Sequence, residues 1–351
     1  MKKIKLKMFV IAISIFLVAA CKKSSDTPNA MANYNGGVGI FVNNEGDAGH
    51  GNGSISFINN VNNTVITDVF SAANGRPLGD EAQSMTIYNG KGYIVLNGSQ
   101  SIQIVNITNF KSDTTITSSN NISLKSPRYM LVVNDTTAYI SDWNDNNIKV
   151  LNLSSLIFKT TIPTGVGPEQ MVIANGNVYV SNSGGDGTDS TITVINNNQV
   201  IATIHVSQNP YAMAVDSKNM LWVMCTNYAG GGVLVKIDPS TNKVVKPYPV
   251  PGNPGRLAIN KEGNSFFYEG TNGIYKFSIT DTAASQTPLI PLSNSTNIIY
   301  GVTVDPHNDN IYGAVIPGYS SDGTMYEYDS TGKQLNTYGV GICSDKCLFN
   351  Y

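Results

Sequence analysis

From residue 39 onward, apolar and polar positions alternate with period two in short runs bounded by Asn, Gly, Asp and Ser. Such runs predict half-buried β-strands, and their borders predict turns. The runs recur in groups of four. One group contains SPRYM (126–130), TAYISD and NIKVLNL; the next contains GPEQM (167–171), NVYVSN and TITVIN. A third contains NPYAM (209–213), LWVMCT and VLVKID. The first apolar anchor of each group falls at Met85, Met130, Met171, Met213, Leu257 and Val302, at separations of 45, 41, 42, 44 and 45 residues. Four strands in a unit of about 44 residues predict propeller blades. No segment beyond the leader shows a convincing helical repeat, so the expected class is all-β.

The two ends of the chain complete the pattern. With strands lettered a to d outward from the axis, GIFVNN (39–44), SISFIN (54–59) and VITDVF (65–70) read as b, c and d with no a before them. The last residues, Cys347 to Tyr351, read as an a strand with no successors. Joined, they make a seventh blade closed by both termini, which removes the exposed sheet edge. The expectation is a seven-bladed β-propeller of four-stranded blades, filling residues 37–351 as a single domain. Trp222, inside a b strand, is expected in the core.

Residues 1–20 follow a different pattern. Four Lys within residues 1–7 precede an apolar run of 13, MFVIAISIFLVAA. That run is too short to span a bilayer and has the length of a signal-peptide core. Val18-Ala19-Ala20-Cys21 resembles the bacterial lipobox, in which Cys21 becomes the acylated first residue of the mature chain. Residues 21–36 then read as the acylated Cys and a flexible tether. The expected chain is exported and lipid-anchored, with membrane contact through the lipid anchor only.

Composition adds three points. A hydrophobic share of 41% in 351 residues suffices for a core and argues against disorder. The net charge of −2 conceals a basic leader: residues 24–351 hold 16 basic and 24 acidic groups, a balance of −8. Such a surface repels phosphate backbones, so no nucleic-acid partner is expected. Cys343 and Cys347 are close enough in sequence to pair, leaving Cys225 over, but buried or idle thiols are the simpler reading of three cysteines with no zinc spacing.

Strand order assigns the loops to faces. The a–b turns, among them Asn89-Gly90, Asn134-Asp135, Asn175-Gly176 and Glu262-Gly263, are tight hairpin chemistry. On the opposite face lie the d–a loops and the longer, uneven b–c loops at 43–54, 141–147, 181–190, 225–232 and 314–323. Uneven loops on a rigid repeat are where binding resides. The candidate ligand site there comprises Glu45, Gln83, Arg128, Tyr129, Gln170, Tyr211, Arg256 and Tyr300 around the axis, near Glu81 and Glu169. Three loop aromatics join it: Trp143, Tyr228 and Tyr319. Such a ring offers aromatic faces, amides and a few charges above an apolar neck. The plainer alternative is a polar, water-filled axis without a ligand. Trp143 is read as an exposed anchor for a flat ligand, or else as packing against a neighbouring blade.

Catalytic chemistry is sparse. His50, His205 and His307 are scattered, which excludes a three-His metal centre, and no Ser–His–acid set is apparent. Asp142, Asp145, Asn146 and Asn147 lack calcium-loop spacing and read as an Asx-rich turn. No catalytic residue, metal or required cofactor is expected. A quinoprotein or a lactonase-like hydrolase is the enzymatic alternative.

Several segments carry a resemblance. NVYVSNSGG (177–185) with TITVINNNQVIATIHV (191–206) looks like the YVTN repeat of surface-layer and YncE-type propellers. NNEGDAGHGNGSISF (43–57), LGDEAQSM (78–85), SPRYM, GPEQMV (167–172), LWVMC (221–225), GVTVDP (301–306) and the terminal GVGICSDKCLFNY together resemble Bacteroidetes lipoprotein propellers. That group includes the BtuG-type vitamin B12 capture proteins. The resemblance covers nearly all of residues 37–351. It implies an outer-membrane lipoprotein at the cell surface, with the periplasmic leaflet as the alternative because no acidic run follows Cys21, that captures a corrinoid such as cobalamin, or a similar large cofactor, on its top face and passes it to a TonB-dependent outer-membrane transporter. The alternative is a surface interaction or adhesion propeller that binds a protein or glycan.

Overall fold

The structure is a computed structural model that describes residues 31–185, 187–227, 231–292 and 297–351. The leader, Cys21, the first part of the tether and Tyr228 lie outside the described residues.

Seven four-stranded antiparallel sheets succeed one another around an axis, forming the seven-bladed β-propeller expected from the repeat. Blade 1 takes strands b, c and d from Gly39–Asn44, Ser54–Asn59 and Thr64–Ile66, and strand a from Ser344–Asn350. Ile40 pairs with Phe349, Phe41 with Leu348 and Val42 with Cys347, so the two ends of the chain share one sheet. The a strands of blades 2 to 5 are Ala82–Tyr88, Pro127–Asn134, Pro168–Ala174 and Pro210–Val215; those of blades 6 and 7 are Ala258–Ile259 and Ile298–Val304. Asn89 and Gly90, and likewise Asn175 and Gly176, have positive φ, as tight hairpins of this twist require.

Apolar faces of adjoining blades pack against each other and leave polar edges at the rim. Trp222 is fully buried, its ring centroid 5.1 Å from Phe266 and 5.5 Å from Tyr248. Near the axis, side chains tie neighbouring a strands together. Ser84 Oγ donates to Arg128 O at 2.7 Å, and Thr86 Oγ1 to Met130 O at 2.9 Å. Met213 N donates to Gln170 Oε1 at 3.2 Å, and Cys347 N to Thr303 Oγ1 at 3.1 Å. These bonds fix the spacing of the strands that carry the candidate site.

The structure corrects two readings. The segment expected as strand d over 65–70 divides: the strand ends at Ile66, and Val69–Asn74 is an α-helix. Asp68 caps it by accepting from Ser71 N at 2.9 Å, Gly75 ends it at φ 68°, and Val69, Phe70 and Ala73 are buried. The inner strand of blade 6 shrinks to Ala258–Ile259. Pro251 and Pro254 precede it and have no N–H for a ladder. Glu269 Oε1 instead accepts from Gly255 N at 2.7 Å and Arg256 N at 2.6 Å. Cys225, Cys343 and Cys347 are all free and buried.

Candidate functional site

Each a strand delivers equivalent positions to the axis, counted from its apolar anchor. Two residues before the anchors stand Gln83, Arg128, Glu169, Tyr211, Gly255, Tyr300 and Asp345. One residue before them stand Ser84, Tyr129, Gln170, Ala212, Arg256, Gly301 and Lys346. The first layer, joined by Arg256 from the second and Glu45 from the first b–c loop, forms a single polar network.

Arg128 organises one half of it. Its Nε and Nη2 lie 3.1 and 3.2 Å from the two oxygens of Glu169, and Nη2 is also 3.2 Å from Tyr211 Oη. Nη1 donates to Gln83 Oε1. The Trp143 ring lies against the guanidinium, 4.3 Å from its carbon. The indole N–H adds a weaker interaction with Glu169, outside regular hydrogen-bond geometry. Arg256 organises the other half. Its Nε donates to Asp345 at 2.6 Å, and its Nη2 is 3.5 Å from Glu45. The Tyr211 and Tyr300 rings flank it at 5.0 and 5.6 Å. Tyr300 Oη donates to Glu45 at 2.5 Å, and Gln83 Nε2 donates to Glu45 at 3.0 Å. Gln83 thus accepts from one half and donates to the other.

Burial works against every charge in this network. It pushes the Glu169 carboxyl up, and Arg128 only partly offsets that. Glu45 is raised by burial and by nearby Asp345, against the pull of Arg256 and the Tyr300 hydrogen bond. Burial also opposes the charge on both guanidiniums, but their carboxylate partners outweigh it and hold them protonated. The arginines are therefore committed to internal pairs. They form a plug across the axis, not a pair of hands for an anionic ligand.

A bowl of about 360 Å³ lies above the plug, lined by Tyr211, Tyr300, Asn209, Thr226 and Glu269 among others. Two of these residues have buried side-chain atoms without a hydrogen-bond partner. Asn209 is 1% exposed, and neither its amide nitrogen nor its oxygen is hydrogen-bonded. Glu269 is 8% exposed, and its Oε2 has no partner. Burial pushes the Glu269 carboxyl up to about 8, despite Arg256 and the backbone N–H groups on Oε1. Below the plug is a second cavity of about 240 Å³, walled by Met85, Met130, Met171 and Met213 and reached by Lys346.

Of the residues singled out in the sequence, Glu45, Gln83, Arg128, Tyr211, Arg256 and Tyr300 meet at the plug and the floor of the bowl. Tyr129 and Gln170 belong to the lower cavity. Tyr319 stands at the rim, 59% exposed and edge-on to Tyr300 at 6.0 Å. Trp143 is only partly exposed, because Arg128 covers it; it is not a free anchor. The expected apolar neck is present only in part, as the methionine walls below the plug, which share that cavity with polar side chains. Asn209, Glu269, Asp345 and Lys346 were not singled out. A signal for Glu269 existed in Asp142, which also ends a b strand and accepts from Lys125 N and Ser126 N at 2.8 and 3.0 Å. Among the described residues no group of three or more His, Cys, Asp or Glu is placed to hold a metal; His50 Nδ1 lies 3.3 Å from Asp47 on the surface.

A family model described as a domain of unknown function, DUF5074, matches residues 38–341. The chain belongs to the DUF5074 family. No curated protein matches it. Among solved structures, this DUF5074 propeller is similar to a quinoprotein alcohol dehydrogenase-like protein from Bacteroides thetaiotaomicron, with TM-score 0.69 and 16% identity over 91% of this chain and 80% of that one. It is also similar to virginiamycin B lyase from Staphylococcus aureus, with TM-score 0.56 and 13% identity over 74% of this chain and 84% of that one. Identities this low establish a shared fold alone.

Proposed function

We propose that the bowl captures a corrinoid or a similar broad, amide-rich cofactor, and that the protein passes it from an outer-membrane lipid anchor to a TonB-dependent transporter. The observation that carries this reading is the unpartnered side-chain atoms of two residues lining the bowl, the amide nitrogen and oxygen of Asn209 and Oε2 of Glu269. Below pH of about 8 the Glu269 carboxyl keeps its proton and offers an O–H donor. Asn209 offers both a donor and an acceptor. Carboxamides arranged around a flat ring answer both demands, and satisfying a buried polar group is worth about 1–3 kcal/mol. Tyr319 at the rim adds an aromatic face for the ring or a nucleotide base. The plug floors the bowl, so a ligand held there stays at the surface, from which it can be handed on. Blades tied together at the axis lower the ordering cost of binding. The resemblance of several segments to corrinoid-capture propellers supports the choice of ligand.

Calorimetric titration of the purified protein with cyanocobalamin tests the reading. The expected result is a one-to-one complex of nanomolar affinity or tighter, worth about 12 kcal/mol. Asn209→Leu should weaken it by about tenfold or more. Arg128 is unsuitable as a probe, because its removal strands Glu169 and tests folding. No heat and no change in the cobalamin spectrum would overturn the corrinoid reading in favour of a propeller that binds a protein or glycan.

A further inference from the structure

Lys346 projects from the inner strand of blade 1 in the layer directly below the plug. The other cation of that layer, Arg256, is paired with Asp345 and Glu45. The Lys346 side chain forms no ion pair and no hydrogen bond with the described residues. It is exposed, and it lines the lower cavity. Confinement there lowers its proton affinity, with Asp345 opposing the shift and Arg256 adding to it.

The cavity beside this ammonium has a mixed lining, in which apolar walls and polar groups, the Asp345 carboxylate among them, have nearly equal shares. Met85, Met130, Met171 and Met213 contribute one thioether from each of four successive blades, and Leu131 and Leu348 extend the wall. A further donor lines the same space: Gln170 spends its carbonyl oxygen on Met213 N, which leaves its amide N–H groups free. An ammonium without an ion pair beside an apolar wall favours a ligand that joins a carboxylate to an apolar body.

We propose that this cavity is a second binding site, distinct from the bowl, for a small organic monocarboxylate. Its carboxylate pairs with Lys346 and the Gln170 amide, and its apolar body lies among the methionines, whose flexible side chains adapt to shape. A dianion such as phosphate fits less well. Lys346 is the one cation among the residues lining the cavity, and the Asp345 carboxylate that lines it too opposes a second negative charge.

The test is binding of benzoate to the whole protein at neutral pH, by calorimetry or ligand-observed NMR, against benzamide and inorganic phosphate. Benzoate should bind saturably and at least about tenfold more tightly than either. Lys346→Met should weaken benzoate by about tenfold or more, and Lys346→Arg should retain it. Absence of saturable benzoate binding, equal affinity for benzamide, or unchanged affinity in folded Lys346→Met would each overturn the site. Tighter binding of phosphate would overturn the carboxylate assignment. Should Lys346→Met fail to fold, the benzoate-to-benzamide ratio on the wild-type protein decides the question.

Discussion

Glu269 carries two backbone N–H groups on one oxygen and nothing on the other, and this asymmetry has a measurable pH signature. Its carboxyl titrates near 8 when folded, against 4.5 in an unhindered chain. Between those values the folded state holds a proton that the unfolded state releases. Stability therefore falls as pH rises through the window, by up to about 1.4 kcal/mol per pH unit. Glu269→Gln mimics the protonated form and should remove that fall. Urea unfolding at both ends of the window checks it: the variant should match wild type at the acid end and exceed it at the alkaline end. The Arg128–Glu169 pair has the opposite logic. Glu169 is 0% exposed and Arg128 12%, so Arg128→Met leaves a buried carboxylate without its counter-charge. A loss of about 3–5 kcal/mol is expected, and adding Glu169→Gln should restore much of it. Equal denaturant midpoints for the single and double variants would contradict that coupling.

At the scale of single elements, the sequence reading worked where period two ran long enough to be unambiguous. It failed over 65–70, because Val-Ile-Thr-Asp-Val-Phe has too few residues to separate a strand from the start of a helix. The deciding features were the Asp68 cap and Gly75, together with a pocket that accepts Val69 and Phe70. Asp68→Ala should cost about 1 kcal/mol, read as a lowered denaturant midpoint with unchanged slope. The inner strand of blade 6 was likewise shortened by its neighbours, since Glu269 from the adjacent strand takes the N–H groups a regular ladder would use. The seam between blades 7 and 1 depends on Gly301. A Cβ there would lie 1.7 Å from Asp345 O, so the two inner strands could not keep their approach. Gly301→Ala should destabilise the protein by about 1–3 kcal/mol or more, visible as a lower midpoint of thermal unfolding.

Across the whole molecule, the strand Ser344–Asn350 closes the ring and also brings Asp345 and Lys346 to the axis. Truncation after Cys343 would expose the edge of Gly39–Asn44 and leave Arg256 without its closest carboxylate. The truncated chain should aggregate or lose cooperative unfolding, as judged by size-exclusion chromatography and circular dichroism. The number of blades, their strand order and the shared closing blade were all legible in the sequence, because each follows from local alternation and a fixed repeat length. The residues that crowd the axis were largely legible too, since Gln83, Arg128, Tyr211 and Tyr300 hold equivalent positions before their anchors. Their partnerships were not. Arg128 meets Glu169 across 41 positions of sequence and Arg256 meets Asp345 across 89, so no local pattern pairs them. Whether a charge faces a ligand or is spent on another charge depends on which blades adjoin and how far each side chain reaches. Only the closed ring decides that: it turned two arginines into a plug, left the Asn209 amide and Glu269 Oε2 unpartnered above it, and left the Lys346 side chain without an ion pair below.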